Sequence, residues 1–157
     1  MAMPQHQHRL FNWTQRSGWV LWAVLALVQC VSALRYDFGV ALGLQQPASA
    51  ISPVGAAWWH GFAVADSLVF VPLMAIGLVG HRRGTALGRI ALAAAAGISV
   101  YWPAVFGASM VLSRRVDGWK MPSETAIWAF GGVFFAWGLM ALYCLWLEDR
   151  RARTAHR

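Results

Sequence analysis

Asp66 is the residue whose type fits its surroundings least. It stands near the centre of residues 55–80, GAAWWHGFAVADSLVFVPLMAIGLVG, a stretch long and apolar enough to cross a bilayer. Insertion scales place a carboxylate at the middle of a membrane helix at about 2.5 to 3.5 kcal/mol unfavourable, so Asp66 is expected to face a bundle interior, to be protonated, or both. A carboxyl group held there can carry a proton or anchor a ligand, because its charge state is set by whatever approaches it.

Depth selects its companions. At about 1.5 Å per residue, Asp66 falls roughly 16 Å below one end of its helix, close to the midplane. Gln29, Ser99 and Tyr101 on other apolar segments fall at similar levels, and the four are expected to form one polar cluster. At 100° per residue, Trp59, Phe62, Phe70 and Leu73 share the Asp66 face, which puts the acid within an aromatic stripe. The alternative is that these polar groups only bind helix to helix, each contributing about 0.6 to 2 kcal/mol.

The remaining candidates separate by position. His60 lies about 120° round the helix from Asp66, so the two are not an i, i+4 ligand pair, and an interfacial histidine that titrates near neutral pH is expected. His81 is nearly a membrane thickness from His60, so one haem could take both only across subunits. His6 and His8, in a polar tail, do not make a metal site, and no cofactor is identified. Arg35, with Tyr36 and Asp37, is either the mouth of a ligand pocket above the acid or a snorkelling cation with a nearby counter-charge. No Ser–His–acid grouping, HExxH, glycine-rich phosphate loop or ligand-spaced cysteine cluster occurs, so the sequence leans away from an enzyme.

These residues have to be positioned by helices. Of 157 residues, 59% are hydrophobic and 12% charged, against roughly 45–50% and about 25% in soluble domains. Four apolar segments, residues 18–34, 54–79, 86–112 and 125–147, predict an all-α, integral-membrane, antiparallel four-helix bundle, with residues 1–17 and 148–157 as tails. Val31-Ser32-Ala33 after an apolar run also resembles a cleaved signal peptide, but the long amino-terminal region favours a retained first helix. Nine Arg lie in the amino tail, the link around Arg82 and the carboxyl tail, against four Lys and Arg in the two other loops, which places both termini in the cytoplasm.

Residues 35–53 read as an external loop, with Phe38–Leu44 along the membrane surface. In the second helix Ala57, Gly61 and Ala65 give a seam for close helix approach. Pro72 deprives the Leu68 carbonyl of its partner, which predicts a kink beside the acid. The third helix, rich in small residues, is expected to be central. Ser123 is the expected N-cap of the fourth, with Glu124 at its positive end. Cys30 and Cys144 fall at different depths, which argues against a mutual disulfide. The net charge of +7 is carried largely by short flanks of the apolar segments, where lipid headgroups explain it, so no nucleic-acid partner is expected.

From Phe38 to Trp102, ALGLQQPASAISPVG, then FAVADSLVF, then IGLVGHRRGTALGRIAL, the chain resembles the DoxX-like family of small four-helix bacterial membrane proteins. That family often carries an acid in its second helix and Gly-Leu followed by Arg where the helix ends. Asp66 stands at its usually glutamate position, and the first helix lacks the family's glycine spacing and terminal lysine. The resemblance implies a bacterial inner-membrane protein with, for some members, an accessory role in membrane redox or sulfur metabolism. The reading at this level is an accessory subunit that binds a partner subunit, a second copy or a small apolar ligand within the lipid bilayer. The alternatives are a proton-coupled carrier using Asp66 and a membrane enzyme or redox accessory handling quinone or lipid.

Overall fold

Hydrocarbon offers no partner for a backbone N–H or C=O, so an apolar chain of this kind satisfies its own backbone within helices. The computed structural model describes residues 5–116 and 124–155. Over these the chain forms α1 (Gln5–Leu34), α2 (Tyr36–Ala41), α3 (Ala48–Ala65), a π-helical turn (Asp66–Phe70), α4 (Val71–Arg82), α5 (Ala86–Ser113) and α6 (Glu124–Ala155). The π-helical turn joins α3 to α4 without a loop. Four stretches are long and apolar enough to cross a membrane, Arg9–Leu34, Ala48–Arg82, Ala86–Ser113 and Glu124–Thr154, and each contains one of the four apolar segments of the sequence. The chain is therefore all-helical and reads as a multi-pass membrane protein.

The helix ends depart from expectation at both termini. α1 begins at Gln5, so described residues counted as tail are helical, and α6 continues to Ala155. The charged end of α6 is supported by Arg153 donating to Asp149 one turn earlier, at 2.9 Å. Residues 35–53 contain α2 and the start of α3, where Ser52 breaks the helix with φ 74°. Its hydroxyl accepts from the Gly55 N–H at 3.2 Å, so Ser52 and Pro53 act as cap and first residue of the regular helix. The expected cap Ser123 and the side chains of His6 and His8 lie outside the described residues.

Small residues set the packing. Between α4 and α5, Gly84 turns the chain with φ 71°, and Thr85 caps α5 by accepting from the Gly88 N–H at 3.1 Å. The backbones then nearly touch: a Cβ on Gly88 would lie 2.0 Å from the Gly80 carbonyl carbon, and one on Gly77 would lie 2.7 Å from the Leu92 Cα. α5 packs on its other side against α6, where a Cβ on Gly138 would lie 2.7 Å from the Ala96 oxygen. Met74, Leu78, Leu92, Phe134 and Trp137 fill the core between these helices, with Leu25 contributed by α1. Gly88→Ala should therefore destabilise the bundle by about 2 kcal/mol or more, while Gly61→Ala, whose Cβ meets nothing within 4 Å, should stabilise it by about 0.5 to 1 kcal/mol. Unfolding of the two variants in detergent, followed by helical circular dichroism, checks the contrast.

Candidate functional site

The acid sits on a backbone irregularity. Asp66 opens the π-helical turn, and the Val71 N–H bonds back to the Asp66 carbonyl, the longer ring that defines this geometry. Pro72 follows at once, lacking the N–H that a regular helix would need there. The kink expected from Pro72 thus takes the form of an inserted residue. Single π turns of this kind recur at functional sites, because they re-aim side chains without ending the helix.

α1 holds this turn from the side. The Gln29 amide donates to the Asp66 carboxylate at 2.8 Å, and the Trp22 indole donates to the Val71 carbonyl at 3.0 Å. Gln29 is 9% exposed and Asp66 half-buried, within the span Ala48–Arg82. One carboxylate oxygen is therefore met by an amide, and the half-exposed acid keeps capacity for a further donor or a cation.

The other candidates go elsewhere. Ser99 is buried, but its hydroxyl donates to Ala95 on its own helix at 2.9 Å, and its Cβ packs against Gly138 of α6. Tyr101 is 70% exposed. The expected four-residue cluster thus contracts to Gln29 and Asp66. Ser99 and Tyr101 are two residues apart, about 200° round a helix, so equal depth could not bring both to one site. The aromatic stripe also divides. Phe70 enters the core against Phe134, with ring centroids 6.4 Å apart, whereas Phe62 is exposed. The π turn carries Phe70 off the angular register that a regular helix would give. Trp59 packs edge-on against Phe106 of α5 at 5.2 Å, bracing α3 rather than facing the acid's partner.

At the Leu34 end of α1, His60 donates from Nε2 to the Ala33 carbonyl at 3.1 Å, satisfying one of the acceptors left open in the last turn of α1. Its ring lies against Tyr36, whose hydroxyl donates to the Gln46 carbonyl at 2.8 Å. Burial, then the nearby Asp37 charge, raises the Tyr36 phenol above its ordinary value, which keeps it protonated and donating through neutral pH. Arg35 is exposed at the junction of α1 and α2 and makes no ion pair among the described residues. No group of three or more His, Cys, Asp or Glu among the described residues is placed to hold a metal.

A second polar group was not anticipated. His81 is 6% exposed, with Nε2 2.9 Å from Glu148 of α6 and Nδ1 3.1 Å from the Gln15 amide nitrogen of α1. Thr14 lies 3.5 Å from the Cys144 sulfur, and the Trp137 indole donates to the Thr14 carbonyl at 3.0 Å. The available signal was the spacing of Gln15, Trp22 and Gln29, each seven residues from the next and so on one stripe of α1. Compared with protein-family models, curated proteins and solved structures, the chain matches none.

Removing Gln29 leaves Asp66 without its amide, so Gln29→Leu should destabilise the fold, and adding Asp66→Leu should recover part of that loss. The coupling expected between the two sites is about 0.6 to 2 kcal/mol. A double-mutant cycle on unfolding in detergent measures it. Strict additivity would show that the two side chains do not support one another.

Proposed function

We propose that the chain is a bacterial inner-membrane accessory subunit, an antiparallel four-helix bundle with both termini in the cytoplasm, that binds a partner membrane helix or a small apolar ligand beside the Asp66–Gln29 pair. The distribution of Arg supports the orientation. The order of contacts supports the antiparallel course: Gln15, Trp22, Gln29 and Ala33 meet His81, Val71, Asp66 and His60 in turn.

The observation that carries the binding reading is a surplus of small positions left unfilled. A Cβ on Gly61, Gly97 or Gly132 would meet nothing within 4 Å, in contrast to the tightly packed Gly77, Gly80, Gly88 and Gly138. Glycine inside a helix costs about 0.5 to 1 kcal/mol relative to alanine, and at these three positions the described residues supply no neighbour that uses the space. Ala57, Gly61 and Ala65 lie exposed along one groove of about 690 Å³, bounded by Trp58 and Phe62, and Ala65 immediately precedes Asp66. A helix or apolar molecule laid in that groove would end next to the acid, and a donor on it would find the carboxylate only partly occupied.

A second reading rests on a separate cleft. α5 and α6 enclose about 380 Å³ lined by Trp102, Phe106, Trp128 and Phe135, an almost wholly apolar space of a kind that suits an isoprenoid or acyl chain. It supports a redox or lipid-handling accessory role, in the direction of the DoxX-like resemblance. The carrier reading needs Asp66 alone, and four helices without an inverted repeat favour it less.

Purification in mild detergent, with native mass and mass spectrometry of bound small molecules, tests the proposal. The expected result is an assembly larger than one chain or a tightly retained apolar molecule. Gly61→Leu should abolish it if the groove is the site, and Asp66→Asn should leave the fold intact while weakening retention about tenfold, the effect of losing one charge-assisted contact. A monodisperse single chain carrying nothing would sink the reading.

A further inference from the structure

A second furrow runs between α1 and α6, apart from the groove on α3 that ends at Asp66. Its floor is the crossing of the two helices, where a Cβ on Gly18 would lie 3.0 Å from the Trp137 ring. The Trp137 indole donates to the Thr14 carbonyl at 3.0 Å, so a directed bond holds that floor as well as packing. Trp13, Arg16 and Val20 form one wall, at helical spacing on a single face of α1, and Val133, Ala136 and Met140 form the other from α6. Together they bound about 630 Å³. From Val133 to Met140 the furrow runs roughly 10 Å along α6.

The furrow is apolar except where Arg16 stands. Arg16 lies within the span Arg9–Leu34, is exposed, and makes no ion pair among the described residues. α1 has no Asp or Glu anywhere along Gln5–Leu34. Thr14, two residues before Arg16, meets both Trp137 and Cys144, so the part of α6 that faces the cation is residues 137–144, which carry no charge. The next acid along α6, Glu148, is 2.9 Å from His81. The Ser17 hydroxyl gives its proton to the Trp13 carbonyl at 2.8 Å, whereas the Trp13 indole N–H has no acceptor among the described residues. Trp13 and Arg16 are three positions apart and so are surface neighbours. Two donor groups, one of them cationic, thus stand together at one end of an apolar channel.

A guanidinium pairs best with a planar or tetrahedral oxyanion that it can fork. A molecule with such an anion at its head and a hydrocarbon chain below it matches both parts of this furrow. A partner helix matches less well, since Trp13, Val20 and Val133 stand out from the walls and Ala136 alone is small, which keeps a second backbone at a distance. An acyl chain is thin enough to lie between them. The same end of the bundle exposes Arg82 and Arg83 beside His81 and Arg150 beside Glu148, a surface that concentrates anionic lipid around Arg16.

We infer that the α1–α6 furrow binds one anionic phospholipid, with its phosphate forked by the Arg16 guanidinium beside the Trp13 N–H and one acyl chain laid along Val20, Val133 and Ala136. A zwitterionic lipid brings its own ammonium to the phosphate and competes with Arg16 for it, so the site discriminates by headgroup charge. The lipid supplies the counter-charge that neither helix provides.

Native mass spectrometry of the full chain, released from nanodiscs of equal parts phosphatidylglycerol and phosphatidylcholine, tests the site. One phosphatidylglycerol per chain should be retained, in preference to phosphatidylcholine by about tenfold, the factor for one charge-assisted contact. Arg16→Gln should remove the preference. Ala136→Trp, which fills the furrow from an exposed position and leaves the cation in place, should lower retention about as much. Arg83→Gln, an equal loss of charge at the same end, should leave both unchanged. Inorganic phosphate, exchanged for chloride at constant ionic strength, should not displace the lipid. Equal retention of the two lipids, an equal loss in Arg83→Gln, retention that survives Ala136→Trp, or displacement by inorganic phosphate would overturn the lipid site. A co-purifying protein released by Arg16→Gln would overturn it in favour of an acidic partner helix. Arg16 and Ala136 lie outside the groove at Gly61, so occupancy of the two places is read separately.

Discussion

A single stripe of α1 decides how this bundle holds together around its polar groups. Gln15, Trp22 and Gln29 recur at seven-residue spacing, and each donates from a nitrogen to the second span: to the His81 ring, the Val71 carbonyl and the Asp66 carboxylate. Apolar packing between helices in lipid has little direction, since acyl chains are as apolar as leucine. Directed bonds from one face can therefore fix the rotation and the depth of α1 where packing alone would leave both loose. The acid depends on this arrangement, because the rung at Gln29 is the partner that takes the place of water.

The rest of the bundle is held by different means. α4, α5 and α6 meet through glycines whose missing side chains let backbones touch, and large residues such as Trp137 and Met74 fill what remains. This half has almost no polar bonding across helices and close steric fit. The half made by α1 and α3 has polar rungs, exposed small residues and a half-buried acid. A bundle divided in this way has one close-packed side and one side on which helices can be approached; the Asp66–Gln29 pair lies along the second, and the His81 group joins α1 to α4 and α6 of the first.

How far the sequence could be read follows from which interactions are local. Length and hydropathy are sums over a window, so the four apolar stretches were visible, as was the irregularity that Pro72 demands. Depth along a helix is also countable, and it brought Gln29 to the level of Asp66. Rotation about the helix was neglected for Ser99 and Tyr101, which a count of 100° per residue separates. The π turn defeats the same count at Phe70, because one inserted residue shifts the face of those beyond it. Contacts such as Gln15 with His81, 66 residues apart, have no local signature, and neither helix alone marks them. The start of α1 lies earlier than the apolar run because Thr14 and Gln15, in the stretch read as a tail, are polar and yet packed.

The degree to which Asp66 is covered gives these features a common sense. A fully enclosed acid with all its lone pairs met would be a structural strut, and a fully exposed one would not persist in hydrocarbon. Asp66 is neither. Gln29 meets it on the α1 side, the groove of Ala57, Gly61 and Ala65 runs up to its neighbour, and none of the described residues fills that groove at Gly61. In a membrane, a half-covered carboxyl group and an unfilled furrow beside it each carry a cost, one electrostatic and one from glycine's weak helix propensity. One occupant, a helix or an apolar molecule with a donor at the right height, would relieve both at once. A bundle that folded only for its own sake could have removed them with a leucine at each place.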